Sequence, residues 1–113
     1  MDVVRLVSIG DSFTEGVGDE LADGTVRGWA DLVATGLAIG QGVPIEYANL
    51  AIRGKLIEPI VREQLEPALA LEPTILTFNG GGNDMVRHRA NLDQMLALTE
   101  NVITRCLDAG VQP

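Results

Sequence analysis

Three short polar runs carry residue types suited to chemistry on a carbonyl. The first is Gly10-Asp11-Ser12, directly after a β-branched run. A serine at a strand-to-helix turn can act as a nucleophile, and the free backbone N–H groups there can stabilise an oxyanion. Gly10 lets the chain turn closely. The second run is Asn49 to Gly54, where Gly54 offers an unshielded backbone N–H. The third is Gly80-Gly81-Gly82-Asn83-Asp84, where the Asn83 side-chain amide can donate to a developing negative oxygen. Each run also has a plainer reading. Ser12 fits a helix cap, Gly54 a turn before a helix, and Asn83 an Asx turn in a glycine-rich loop. Their coincidence carries more weight than any one of them, because all three follow predicted strands.

Those strands are short. Val3 to Ile9 is apolar on both alternations, as in a parallel strand covered on both faces. Pro44 to Ala51 reads as a second strand, although Asn49 near its end suggests a turn or the rim of a site. Thr74 to Phe78 reads as a third. Residues 10 to 27 read as a long glycine- and acid-rich loop. Trp29, Leu32, Val33 and Leu37 then mark a helix that Gly40 and Gly42 stop. A second helix falls within 55 to 70, with Leu56, Ile57, Ile60, Val61 and Leu65 as its stripe. Pro59 belongs in its first turn, and Pro67 should kink or end it. The clearest helix runs from Leu92 to Cys106, with Asn91 as its cap and Gly110 as its stop. Strand and helix alternate three times, which predicts an α/β fold with parallel strands and right-handed crossovers. An antiparallel α+β arrangement is the rival. In open α/β sheets ligands sit beyond the carboxyl ends of the strands, which is where the three polar runs fall.

Composition bounds the rest. The chain has 113 residues, 46% of them hydrophobic, and a formal charge of -8. That supports one modest core and one domain, residues 1–113. The acidic balance disfavours nucleic acid and anionic membrane surfaces as partners. No run reaches the length of a membrane span, and no signal peptide is visible, so the cytoplasm is the default compartment. Cys106, the single cysteine, reads as a small buried hydrophobe. Asp11, Glu15, Asp19, Glu20 and Asp23 are dense in acid, but their spacing matches no calcium loop. Neither a phosphate-binding P-loop nor a dinucleotide fingerprint is present, and no metal or cofactor is expected.

The run Gly10-Asp11-Ser12-Phe13-Thr14-Glu15-Gly16 resembles the first block of the SGNH hydrolases, also known as GDSL-type esterases and lipases. Gly54 falls where the second-block glycine of that family falls, and Gly80-Gly81-Gly82-Asn83-Asp84 resembles its Gly-x-Asn-Asp block. Arg27-Gly28-Trp29-Ala30 is similar to a frequent helix start in bacterial members. The blocks stand in the family's order and span essentially the whole chain. The resemblance implies a flavodoxin-like three-layer α/β/α sandwich with the first strand central. It implies Ser12 as nucleophile on a small ester or acyl substrate. The oxyanion donors would be the N–H groups of Ser12 and Gly54 and the amide of Asn83, with Asp11 and Asp84 in support.

One feature departs from the family. Its general base is a histidine in an Asp-x-x-His block near the carboxyl end, after two further strands, and these 113 residues contain no such block. The one histidine, His88, lies between two arginines and reads as a solvated surface residue. The chain therefore reads as truncated after the third strand and its following helix, and as a fragment, or as completed by a partner. It carries the nucleophile and oxyanion half of a hydrolase. A serine without a base is a poor nucleophile, although an oxyanion hole and binding alone still leave about 10³–10⁴-fold over water. The alternative is a non-catalytic small-ligand-binding or structural module, or an inactive fragment. A third strand left at the sheet edge, apolar and uncharged, invites pairing with another chain or with the missing carboxyl-terminal part.

Overall fold

The computed structural model describes residues 3–16, 22–23, 28–42, 44–87 and 90–113. Three parallel strands form one sheet in the order β2-β1-β3, with β1 at Arg5–Ile9, β2 at Glu46–Asn49 and β3 at Ile75–Phe78. The first strand is therefore central. Val7 stands opposite Ala48 on one side and Leu76 on the other. Helices α1 (Ser12–Glu15), α2 (Trp29–Gln41), α3 (Ile57–Ala70), α4 (Gly82–Val86) and α5 (Leu92–Asp108) are the other elements among the described residues. The expected α/β architecture holds, with a parallel sheet flanked by helices in three layers.

Strand alternation divides the core. Val7, Ile9 and Leu76 join Ile57, Ile60, Val61, Leu65 and Ala68 of α3 and Val102 and Cys106 of α5 in one buried cluster. At about 25 cal/mol per Å² of apolar surface removed from water, this face is the main source of stability. Cys106 is fully buried, and burial pushes its thiol pKa up, as suits a packing residue. On the opposite face, the Tyr47 hydroxyl donates to Asp31 Oδ1 at 2.7 Å and ties β2 to α2. Burial, followed by that carboxylate, raises the Tyr47 pKa. The β1 end remote from the polar runs is fastened by Arg5, which pairs with Glu46 and donates to the carbonyls of Leu71 and Glu72.

Four local expectations need correction. Residues 12–15, read as loop, form the single helical turn α1. The glycine turn after β3 likewise opens into α4, five residues long. Such elements are too short to leave a 3.6-residue period in a sequence. Pro67 does not end α3, which continues to Ala70. Proline removes one backbone hydrogen bond there, while the buried Leu65 and Ala68 hold the last turn on the core. In α2, which runs through Gly40 to its cap at Gly42, the buried residues are Ala30 and Ala34. Leu32 and Val33 are exposed. Asn91 caps α5, accepting from the Gln94 N–H, and Gly110 follows its end in the left-handed region, both as expected.

After α5 the chain turns back along the sheet. Gln112 makes an isolated parallel bridge to Ile75, donating to the Thr74 carbonyl and accepting from the Leu76 N–H. An apolar groove of about 480 Å³ runs between β3 and α5, lined by residues that include Phe78, Val102, Ile103 and Pro113. Among the described residues no helix is long and apolar enough to cross a membrane.

Candidate active site

The turn after β1 is held from several directions. Gly10 has no room for a side chain, because a Cβ there would lie 2.7 Å from the Asn79 carbonyl oxygen and 2.9 Å from Thr14 Oγ1. Its carbonyl accepts from the Ile52 N–H at 3.1 Å. Its N–H donates to Gln64 Oε1 at 2.9 Å, and Gln64 Nε2 donates back to its carbonyl at 3.0 Å. Asp11 then caps α1, with Oδ1 accepting from the Phe13 N–H at 3.1 Å. The cap is therefore Asp11, and Ser12 is the first helical residue, half-buried. The capping role open to Ser12 in the sequence is taken, so its hydroxyl is not needed to complete the helix.

The third polar run sits beside it. Asn83 Nδ2 donates to the Lys55 carbonyl at 3.0 Å. An amide has two N–H donors, so this bond fixes the plane of the group and leaves a second donor. Asp84 is 6% exposed, and its Oδ1 accepts the Ile57 N–H at 2.8 Å. Ile57 is the first residue of α3, so Asp84 satisfies one of the orphan donors at that helix start. A carboxylate is also favoured there by the helix dipole. Gly54, at φ +77°, occupies the left-handed region that glycine tolerates. It is exposed, and it precedes Lys55, to which Asn83 is bonded.

An open depression of about 380 Å³ is lined by Asp11, Ser12, Phe13, Asn79, Gly80, Gly82 and Asn83. It brings Ser12 and Asn83 onto one surface at the carboxyl ends of β1 and β3. Gly54 lies off that lining and is joined to it through the Asn83–Lys55 bond. Phe13 is 66% exposed, with its ring centroid 6.3 Å from that of Trp29.

Two further ties bind the second polar run to α1. Asn49 Nδ2 donates to the Thr14 carbonyl at 2.9 Å, and its Oδ1 accepts from the Ala51 N–H at 3.0 Å. This explains an asparagine at a strand end. Glu15 accepts from the Arg53 backbone N–H and pairs with its guanidinium at 2.7 Å. That hydrogen-bonded guanidinium holds the Glu15 carboxyl below its usual range. The Arg53 side chain is mostly exposed, so the ion pair contributes about 0–1 kcal/mol.

Of the five acidic residues noted in the first loop, Asp19 and Glu20 lie outside the described residues, as does His88. Among the described residues no cluster is suited to a metal. Gln64 is the site-supporting residue that sequence reading overlooked. Its signal was a polar side chain seven residues after Ile57, inside the apolar stripe of α3.

No curated protein matches the chain. Solved structures do. The psychrotrophic esterase EstA from Pseudoalteromonas sp., in a structure inhibited by monoethylphosphonate, superposes with a TM-score of 0.72 at 20% identity, over 95% of this chain and 55% of that one. TesA gives 0.76 at 23% identity, over 95% and 56%. AlinE4, an SGNH-hydrolase family esterase, gives 0.74 at 16% identity, over 98% and 57%. The chain thus spans little more than half the length of these structures, and at such identities they bear on the fold alone. Family membership rests on sequence, since the model of the GDSL-like Lipase/Acylhydrolase family matches residues 8–112. With its match running from the end of β1 to the bridge at Gln112, the chain belongs to that family.

Proposed function

We propose that this chain carries the nucleophile and oxyanion machinery of a serine hydrolase acting on small, soluble carboxylic or acyl esters, within a single domain. The supporting observation is the shared depression of Ser12 and Asn83, with Asn83 bonded to the residue next to Gly54. In the reaction Ser12 Oγ bonds to the ester carbonyl carbon and its proton passes to a base. The carbonyl oxygen takes the negative charge and is met by the N–H groups of Ser12 and Gly54 and the second N–H of Asn83. Collapse expels the alcohol and leaves an acyl-serine, which water then hydrolyses. Asp11 and Asp84 shape the two turns and take no part in proton transfer. The sequence holds no Asp-x-x-His block, so turnover by these 113 residues alone is expected to be slow.

A fluorophosphonate probe tests this reading. It should label Ser12, located by peptide mass, and leave Ser12→Ala unlabelled. Labelling elsewhere, or equal labelling of the alanine variant, would refute it. The rival is a binding module without catalysis. Saturable binding of an ester with no covalent labelling, in a form of the protein that contains an Asp-x-x-His block, would decide for that rival.

We also propose that the outer edge of β3 pairs with another polypeptide. Ile75-Leu76-Thr77-Phe78 is uncharged and β-prone, and Gln112 occupies only its start. Unpaired apolar edges recruit strands. Light scattering coupled to size exclusion should give a mass above 12.0 kDa that rises with concentration. A monomer throughout would sink the proposal.

A further inference from the structure

We propose that Gln64 is a positioning residue for the reaction, holding the Ser12 turn at a set distance from the Asn83 turn. The inference rests on the assignment of Ser12 as nucleophile. Gln64 is 3% exposed and lies 54 positions from Gly10, yet it grips both backbone groups of that glycine. The pair of bonds reproduces strand-like pairing where β1 has already ended. It satisfies a buried N–H and adds a second donor to a carbonyl already bonded to the Ile52 N–H.

Helix α3 extends this grip to the other half of the site. Its first residue, Ile57, donates to Asp84, beside Asn83. Gln64 follows seven residues later on the same buried face. Seven residues along a helix span about 10 Å. One rigid element therefore contacts the nucleophile turn with a side chain and the amide turn with its amino terminus. A loop could not set that separation so closely. Gly10, for its part, leaves no room for a side chain between the Asn79 carbonyl and Thr14, so the turn is closely packed on that side as well. Loss of the Gln64 bonds frees the residue two before Ser12, while removing none of the groups that would contact the probe.

Labelling kinetics of three forms of the chain test the proposal: the original, Gln64→Met and Gln64→Glu. Methionine keeps the length and removes both bonds; a neutral glutamic acid can restore them. The expected result for Gln64→Met is an inactivation rate constant at least 10-fold lower, with the reversible binding constant of the fluorophosphonate unchanged. Gln64→Glu should fall between the two. A purely structural role would lower the melting temperature and leave the rate constant of the folded protein alone, and that outcome overturns the proposal. If Gln64→Met does not fold, Gln64→Glu decides at a pH where its carboxyl is ionised and cannot donate to the Gly10 carbonyl; a rate constant equal to the original at that pH overturns the proposal. If a form of the protein that contains an Asp-x-x-His block does not label, the nucleophile assignment has failed by itself. Amide hydrogen exchange then judges the clamp separately. Gly10 and Ser12 should exchange at least 10-fold faster in Gln64→Met, and unchanged protection at both overturns it.

Discussion

Replacing Asn83 by alanine is expected to lower kcat for ester hydrolysis about 10²–10³-fold, or about 2.7–4 kcal/mol of transition-state stabilisation, with KM little changed. One amide N–H is committed to the Lys55 carbonyl, which orients the group before substrate arrives. In the proposed mechanism the other would meet the substrate oxygen only as that oxygen gains charge, so its effect would be larger in the transition state than in the ground state. Asn83→Asp, nearly the same shape, should be at least as damaging, because a carboxylate cannot donate and would repel the oxyanion. Steady-state kinetics on any form of the protein that turns over an activated ester will check this. A rise in KM at constant kcat would refute the oxyanion assignment.

The second large effect is on stability. Gly10→Ala should destabilise the fold by about 3 kcal/mol, toward the upper end of overpacking costs. The added Cβ would sit 2.7 Å from the Asn79 carbonyl oxygen and 2.9 Å from Thr14 Oγ1. Retreat is blocked, since both backbone groups of Gly10 are bonded to α3 or to the loop before it. At roughly 4–8 °C per kcal/mol for a domain near this size, Tm should fall by more than about 10 °C. Gly36→Ala is the internal control. Gly36 lies inside α2 with nothing within 4 Å of a Cβ, so alanine there should raise stability by up to about 1 kcal/mol. Thermal melts followed by circular dichroism read both. Equal Tm values for the Gly10 and Gly36 variants would show that the turn is looser than its contacts imply.

The turn after β1 shows how far local reasoning reaches. Asp-Ser after a strand announces a capped helix, but not which of the two residues caps it. Asp11 does so, a result that depends on how the chain leaves β1. The same limit applies to α2. Its apolar period was legible, yet its buried face is the alanine face. Periodicity records which residues share a side, while the neighbours decide which side is covered.

The sequence by itself determined the three strands, the three longer helices, their alternation, and the three polar turns at the strand ends. These are written in short-range signals: β-branched runs, helical periods, caps and glycines, each readable within about ten residues. Only the tertiary structure decided that α3 grips Gly10 through Gln64, that Asp84 serves the start of α3, and that Asn83 is bonded next to Gly54. Those bonds join residues 54, 27 and 28 positions apart. No local propensity encodes them, because a side-chain partner that distant exists only once the sheet has brought the two segments together.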